Sequence, residues 1–249
     1  MITLKLATDC SGTDAPVFAA QQMSFVQEGR VRVRHMWSSE VDKAAREFIT
    51  LNHKPEVLFG DLTTRDPTKL KSTDIVMFGF PCQPFSVLGV RRGLRDQRSN
   101  VYHAFIKMLR VATVRCCVLE NVLGLKTHKK GKTLLRVIRD LESCDFVVKF
   151  REYRACQFGL PQNRPRLYIV GFHKSEGKTP QLPKPPDLPV PPLSSFLSAE
   201  KGPRKARPTV SKHSVASKNL RRVLKTMRKR GINPNRETWA IDVDAEASP

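Results

Sequence analysis

The sequence predicts an α/β fold built on a mostly parallel sheet with helices on its faces. Short apolar runs alternate with segments of helical spacing along residues 4–172. One run, residues 75–78, is continuous and is followed by Gly79 and Pro81, which is typical of a buried strand. The chain also opens with a strand, a turn that contains Gly12 and a helix, the order that begins nucleotide-binding units.

The remaining elements follow from periodicity and turn residues. Asp14 is a candidate N-cap of the first helix, and Pro16 suits its first turn. The strands are expected at residues 4–7, 31–37, 56–59, 75–78, 114–119, 146–150 and 167–170. The helices are expected at residues 16–27, 41–52, 101–111 and 132–141. Hydrophobic residues make up 40% of the chain, enough for a sizeable core.

Polar residues at the ends of the first two strands are candidates for ligand binding. Gly12, after Ser11, would let the backbone approach a ligand at a helix N-terminus, although an ordinary strand-to-helix turn has the same composition. Glu40 follows the second strand. A carboxylate there either accepts hydrogen bonds from ribose hydroxyls or stabilises the first turn of the next helix.

The loop at residues 79–86 follows the strand at residues 75–78. Cys82 lies between Pro81 and Pro84, whose rings restrict the backbone on both sides and so direct the thiol. A thiol with a lowered pKa attacks electron-poor carbon. A free cysteine is more often a small buried hydrophobe, but a Pro-flanked loop at a sheet edge favours the nucleophile.

Charged residues adjoin two further strand ends. An isolated glutamate such as Glu120 is usually a cap or a surface charge, but its place on a neighbouring sheet-edge loop favours proton transfer. Arg164 and Arg166 alternate in an extended segment, so both can face one side and contact a base, a phosphate or a carboxylate. The loop at residues 89–100 is arginine-rich, which favours phosphate contact over a merely solvated surface.

The formal net charge of +21 indicates a polyanionic partner, nucleic acid first and an anionic membrane second. We find no apolar span of membrane length and expect no signal peptide, so membrane binding is disfavoured. The six cysteines form no CxxC pair, which disfavours zinc and a disulfide framework.

The composition changes after Phe172. A Pro-rich linker begins near Pro180, and residues 194–197 suit a helical turn. No acidic residue lies between Lys201 and Arg230, and residues 219–229 can form a basic helix. Polyanion binding, nuclear import and a solvated disordered tail all remain open for this segment.

Three ordered motifs resemble those of the cytosine C5-specific DNA methyltransferase family. They are residues 79–86, which read GFPCQPFS, residues 120–122, which read ENV, and residues 162–166, which read QNRPR. The resemblance implies a Rossmann-like fold that uses S-adenosylmethionine, and DNA as the partner. It implies catalytic roles for Cys82, Glu120, Arg164 and Arg166, and donor contacts by Ser11, Gly12, Glu40, Asp61, Leu62 and Pro81. No metal is implied.

The resemblance also implies a reaction. Cys82 adds to C6 of cytosine, C5 takes the methyl group, and Glu120 offsets charge at N3. Asp61 meets the adenine amino group in this picture, although it could equally be a turn residue. Cys10 stands where the family usually has an aromatic residue, which departs from the donor loop.

Alternatives and boundaries follow from what the sequence lacks. We find neither of the two motifs that follow the target recognition region in family members, so the chain is either a fragment or a degenerate member. The alternatives are a catalytically silent DNA-binding or regulatory relative, or a tRNA cytosine-5 methyltransferase. The residues that flank Cys82 resemble those of the DNA branch more than those of the tRNA branch. We expect a catalytic core at residues 1–172 and a linker with a basic extension at residues 173–249, which could begin a target recognition region. The location would be the nucleus in a eukaryote and otherwise the cytoplasm.

Overall fold

The computed structural model describes residues 1–81, 100–196, 215–231 and 233. Its chain contacts divide it into two units. The first unit contains Met1–Arg154 and Arg164–Pro185, and the second contains Ala155–Asn163 and Pro186–Pro249. The predicted boundary at residue 172 remains a prediction, because the contact division follows a different criterion.

A single sheet organises the first unit. Seven strands of the described chain lie in the order β3-β2-β1-β4-β5-β7-β6. They are β1 (Ile2–Asp9), β2 (Val31–Ser39), β3 (Val57–Phe59), β4 (Thr73–Phe78), β5 (Val114–Asn121), β6 (Phe146–Arg154) and β7 (Pro165–His173). All neighbouring pairs from β3 to β5 are parallel, whereas β7 runs antiparallel to both β5 and β6. The predicted mostly parallel sheet is therefore confirmed.

The direction of β7 decides which residues meet. In a parallel sheet the carboxyl ends of the strands share one edge, and an antiparallel strand begins at that same edge. The start of β7 therefore lies beside the end of β5, where Glu120 pairs with Tyr168 and Asn121 pairs with Leu167. Gly171 makes this close pairing feasible, since a Cβ there would lie 2.8 Å from the Cys117 sulfur.

Helices connect the strands. They are α1 (Ala15–Val26), α2 (Lys43–Asn52), α3 (Asn100–Val111), α4 (Gly124–Thr127) and α5 (Lys132–Glu142). The short α4 and the 3₁₀ turn after it were not predicted, because so few residues carry no readable periodicity. The core lies between the sheet and the helices, where the ring of Phe78 stacks on Phe105 at 4.1 Å between centroids.

The second unit contains one long helix among its described residues, α6 (Val215–Lys229). Its start lies four residues before the predicted basic helix at 219–229. The 3₁₀ turn at Leu193–Phe196 overlaps the predicted helical turn at 194–197. No helix in the described ranges is both long and apolar enough to cross a membrane.

Candidate active site

A cleft of about 690 Å³ lies in the first unit, at the carboxyl ends of β1, β4 and β5. Its walls are the end of β1 and the loop after it, the start of α1, the end of β4, one residue of β5, one of β7 and the residue just before β7. The lining residues are Thr8, Asp9, Cys10, Ser11, Gly12, Thr13, Ala15, Pro16, Ala19, Met77, Phe78, Gly79, Glu120, Arg164 and Tyr168. Four predicted site residues, Ser11, Gly12, Glu120 and Arg164, therefore share one cavity.

The loop between β1 and α1 has an unusual backbone. Positive φ angles occur at Cys10 (53°), Gly12 (55°) and Asp14 (58°). The N–H of Ser11 donates to the Ser39 carbonyl at 3.1 Å, and the N–H of Ser39 donates to Ser11 Oγ at 3.2 Å. A Cβ at Gly12 would meet no atom within 4 Å, so backbone conformation rather than crowding favours glycine there.

Asp14 is the N-cap residue of α1, as predicted, but its side chain does not cap the helix. That side chain accepts no hydrogen bond from the helix. The buried carboxylate instead accepts hydrogen bonds from Thr8 Oγ1 and Ser38 Oγ, both at 2.5 Å. Capping side chains bond from an extended backbone, whereas Asp14 has φ 58° and ψ 40°. Its carboxylate therefore joins β1 to β2 below the loop.

Glu40 lies beyond the end of β2 and contacts the same loop. Its Oε2 accepts a hydrogen bond from the N–H of Gly12 at 2.7 Å. Its Oε1 accepts hydrogen bonds from the N–H groups of Val41 and Asp42 at 2.8 and 2.9 Å. The side chain that caps α2 is Asp42, which accepts from the N–H of Ala45 at 2.8 Å. Glu40 therefore joins the Gly12 loop to the segment before α2.

Asp61 and Leu62 lie in the turn after β3, outside the cleft lining. Asp61 Oδ1 accepts hydrogen bonds from the N–H and the hydroxyl of Thr63, both at 2.8 Å, which is a turn contact. Leu62 is buried in the hydrophobic core. Their roles at a bound donor remain predictions.

A buried ion pair that sequence reasoning missed lies beside the cleft. Arg65 Nη1 donates to Asp9 Oδ1 at 2.7 Å and Arg65 Nη2 donates to Asp9 Oδ2 at 2.9 Å. The two side chains are only 2% and 0% exposed. A polar residue at the end of a strand hinted at Asp9, but nothing in the spacing marked Arg65 as its partner.

Cys10 is the thiol that lines the cleft. Burial raises its pKa to about 12, and the carboxylates of Asp9, Glu40 and Asp61 add to the effect, which Arg65 partly offsets. A thiol with such a pKa stays protonated near neutral pH and is a poor nucleophile. Cys10 therefore lacks the chemistry expected of a catalytic cysteine.

Glu120 and Arg166 form an ion pair at the junction of β5 and β7. Arg166 Nε lies 2.7 Å from Glu120 Oε1, and the side chains are 19% and 34% exposed. Arg164 and Glu120 both line the cleft. Tyr168 lies opposite Glu120 on β7, and burial with the nearby Glu120 raises its pKa. The antiparallel start of β7 thus brings both arginines to the end of β5.

Asn121 ties the end of β5 to the segment that leads out of β4. Its Nδ2 donates a hydrogen bond to the backbone carbonyl of Phe80 at 3.1 Å, and its Oδ1 accepts from the N–H of Val122 at 2.9 Å. The Asn121 side chain is buried. The motif at residues 120–122 contains Asn121, but the sequence alone assigned it no role. The signal that could have indicated one is an amide side chain at the end of a buried strand.

The candidate nucleophile itself is outside the described residues. Description of this segment ends at Pro81 and resumes at Asn100, so Cys82 and nearly all of the arginine-rich loop fall in the gap. The anchored Phe80 lies two residues before Cys82. Pro81, the predicted donor contact, is described and lies outside the cleft lining.

Comparisons with known proteins point to one family. A model described as C-5 cytosine-specific DNA methylase matches residues 18–244. The type II methyltransferase M.NlaX of Neisseria lactamica is 38% identical over 151 residues, which are 60% of this chain and 48% of that protein. M.NlaIV of the same species is 32% identical over 227 residues, which are 86% of this chain and 51% of that protein.

The fold also has solved counterparts. The methyltransferase EhMeth of Entamoeba histolytica superposes with a TM-score of 0.62 at 15% identity, over 81% of this chain and 62% of that one. At that identity the likeness concerns the fold. The chain spans about half the length of the two curated relatives named above.

Proposed function

Because the chain belongs to the C-5 cytosine-specific DNA methylase family, we propose that it transfers a methyl group from S-adenosylmethionine to C5 of cytosine in DNA. The observation that carries the proposal is the meeting of two predicted sites. Glu120 and Arg164 line the same cleft as Ser11 and Gly12. A donor and a target base held there would be neighbours, as methyl transfer requires.

The cleft suits the methyl donor in size and in chemistry. Its volume of about 690 Å³ falls within the range of about 300–1,000 Å³ typical of small-molecule sites. Gly12 leaves the backbone open to approach. Glu40 is not a lining residue but bonds to the Gly12 loop, and it accepts three backbone hydrogen bonds where a carboxylate has about four lone-pair sites. One site therefore remains for a ribose hydroxyl. S-adenosylmethionine would supply an electrophilic methyl group.

Cys82 is the nucleophile in this proposal. Its thiolate bonds to C6 of the base, and the C5–C6 electron pair moves so that C5 becomes a carbon nucleophile. C5 bonds to the methyl carbon as the bond from that carbon to the donor sulfur breaks. Loss of the C5 proton to a base then expels the Cys82 thiolate and restores the aromatic ring.

Glu120 and the two arginines assist at the base. Glu120 would hydrogen bond to or protonate N3 while charge develops in the ring. Arg166 contacts Glu120 Oε1, which limits rotation of the carboxyl group and leaves Oε2 to address the base. Arg164, on the same cleft, would contact the base or its phosphate.

The reaction requires an extrahelical base. C6 is not accessible within a stacked duplex, and flipping costs about a few kcal/mol. Contacts between basic residues and the DNA backbone offset that cost, and the net charge of +21 is consistent with many such contacts. The exposed basic residues of α6 are one source of them.

The test uses a substrate from which C5 cannot release its substituent. The full chain is incubated with S-adenosylmethionine and a duplex that contains 5-fluorocytosine, and an adduct that survives denaturation is sought on a gel. We expect an adduct with the wild-type chain and none with Cys82→Ala. The fluorine blocks elimination, so the sulfur stays bonded to C6 after methyl transfer.

Parallel arms separate the alternatives. If a tRNA transcript that contains 5-fluorocytidine forms the adduct and the DNA duplex does not, the substrate is tRNA and not DNA. DNA binding with no adduct, even when the donor is shown to bind, would indicate a catalytically silent relative. Because the chain spans about half of its relatives, the adduct assay is also run with the chain extended to their length.

A further inference from the structure

The Asp9–Arg65 pair joins two segments that flank the candidate donor site. Asp9 is the last residue of β1 and lines the cleft, next to Cys10. Arg65 lies in the turn after β3. Their two parallel hydrogen bonds, at 2.7 and 2.9 Å, form a bidentate pair that fixes both position and orientation.

The environment of Arg65 holds it in one orientation. Its Nη1 also donates to Ser39 Oγ at 2.7 Å. The guanidinium carbon lies 5.6 Å from the ring centroid of Trp37 and 5.3 Å from that of Phe59. Trp37 Nε1 donates to Asp9 Oδ1 at 3.3 Å, so both charges are well satisfied. A lysine could supply neither the planar fork nor the same stacking.

Stability alone does not account for such a pair. Removing two charges from water costs about as much as their attraction returns, and apolar pairs of similar volume are often as stable. The pair instead fixes position, because it restrains the end of the turn at residues 60–64. Arg46 Nη1 restrains the start of that turn by donating to the Phe59 carbonyl at 2.7 Å.

The restrained turn contains Asp61 and Leu62, the predicted adenine contacts. The end of this turn is held at the end of β1 by the hydrogen bonds from Arg65 to Asp9, and the Asp61 carboxylate adds to the rise in the pKa of Cys10. Inside the turn, Asp61 accepts from the N–H of Thr63 at 2.8 Å and its carbonyl accepts from the N–H of Thr64 at 3.2 Å. These hydrogen bonds define the conformation of the turn, and Arg65 fixes its position relative to the end of β1.

We propose that Arg65 is a positioning residue of the methyl-donor site, which it serves by holding the Asp61 turn against the end of β1 through Asp9. This role rests on the proposed function. Arg65 acts on donor binding and not on the chemistry at cytosine. Its loss therefore raises the dissociation constant of the donor and leaves the turnover number at saturating donor unchanged.

The test compares the full chain with Arg65→Lys and Arg115→Lys. Arg115 likewise makes a bidentate contact with one carboxylate, Glu176, and it contacts Asp74 as well, but at the amino ends of β4 and β5, away from the cleft. It is more exposed than Arg65, so it controls for the loss of an arginine–carboxylate contact and not for burial. Calorimetric titration with S-adenosylhomocysteine should show binding about tenfold weaker in Arg65→Lys and unchanged in Arg115→Lys. In Arg65→Lys the KM for the donor should rise by about the same factor as the dissociation constant, and kcat should stay within about twofold of the wild-type value.

Hydrogen exchange supplies a readout independent of activity. The amides of Thr63 and Thr64 should exchange faster in Arg65→Lys, because the turn loses its anchor. If Arg65→Lys does not fold, the double variant Asp9→Leu with Arg65→Met replaces the pair by apolar groups and is tested in the same way. The melting temperature identifies the variant that is folded.

The outcomes separate the two proposals. A wild-type chain that does not bind S-adenosylhomocysteine overturns the proposed function and the role of Arg65 with it. Wild-type binding that persists unchanged in folded Arg65→Lys or in the double variant overturns the role of Arg65 alone. A fall in kcat without a rise in KM also overturns it, since Arg65 would then act on the chemistry.

Discussion

Asn121 Nδ2 donates a buried hydrogen bond to the Phe80 carbonyl at 3.1 Å, and so links the end of β5 to the segment that leads to Cys82. The residue before Asn121 is Glu120, the candidate acid, and the second residue after Phe80 is Cys82. Parallel pairing of β4 with β5 sets the spacing of the two strand ends, and this hydrogen bond extends the link beyond β4 to Phe80, two residues before the proposed nucleophile.

Replacing Asn121 should damage activity beyond its effect on stability. Asn121→Ala removes the buried hydrogen bond from Asn121 to the Phe80 carbonyl, which should cost about 1–3 kcal/mol of the free energy of unfolding. Methyl transfer should fall by about a hundredfold, because a small displacement of reacting groups has a large effect on rate. Chemical denaturation and a methyl-transfer assay measure the two.

Asn52 offers the matched control for this variant. Its Nδ2 donates to the Phe48 carbonyl at 2.8 Å, but on the exposed end of α2. Asn52→Ala should change stability by less than about 0.5 kcal/mol and leave the rate unaltered. Equal losses of rate in the two variants would contradict the positional role of Asn121.

Glu120→Gln should separate catalysis from stability. The pair with Arg166 is partly exposed, so its loss should cost about 1 kcal/mol of stability or less. Loss of a proton donor at N3 should slow methyl transfer by about a hundred to ten thousandfold. Rate at saturating DNA and thermal melting measure the two effects.

The control for Glu120 is Glu152, which pairs with Lys126 at 2.5 Å and is 38% exposed. Glu152→Gln removes a similar ion pair outside the cleft and should keep the wild-type rate. A Glu120→Gln chain that transfers methyl groups as fast as Glu152→Gln would remove Glu120 from the mechanism.

The sheet was predictable because strand signals are local. Each predicted strand has a counterpart, and the misses are mainly lengths: β1 was expected at 4–7 and spans Ile2–Asp9, and β6 was expected at 146–150 and spans Phe146–Arg154. Exposed and charged strand ends carry no apolar pattern. Backbone pairing with a neighbour extended both strands beyond it.

The site was predictable only in part. The motifs indicated Glu120 and the two arginines, but their meeting depends on the antiparallel direction of β7, which is a tertiary property. The partner of Asp9 could not be inferred, because 56 positions separate it from Arg65 and no pattern links them. Asp14 holds the predicted N-cap position, but its carboxylate does not bond to the helix because it accepts from buried hydroxyls of the neighbouring strands.

Cys10 should make the chain less stable as the pH rises above 9. Its pKa is 9.0 in an unfolded chain and about 12 in the folded one, so between these values the unfolded state loses a proton that the folded state keeps. The free energy of unfolding then falls by at most about 1.4 kcal/mol per pH unit. This stabilisation is complete below pH 9.

Cys10→Ala lacks this contribution. The stability difference between the wild-type chain and Cys10→Ala should therefore shift in favour of the variant from pH 8 to pH 10.5, as measured by urea denaturation at each pH. A difference that is constant across this range would show that the Cys10 thiol is not held protonated by its surroundings.

The exposed basic residues of α6 should contribute to DNA affinity through phosphates. Arg222, Lys225 and Arg228 are exposed, whereas Val223 and Met227 lie on the more buried side of the helix. The logarithm of the affinity falls linearly as the logarithm of the salt concentration rises. Changing the three basic residues to glutamine should make this slope less steep by about 2.7 if each contacts one phosphate. Affinity should fall equally for different duplex sequences, because phosphates carry no base identity.

A control with the same loss of net charge tests whether location matters. Arg34 and Lys71 both contact Glu56, and Lys69 contacts Asp66, so these three cations already face carboxylates. Their replacement by glutamine should change the salt slope little, although long-range attraction weakens by the same three charges. If the two triple variants lose affinity and slope to the same extent, net charge alone explains DNA binding and α6 makes no phosphate contact.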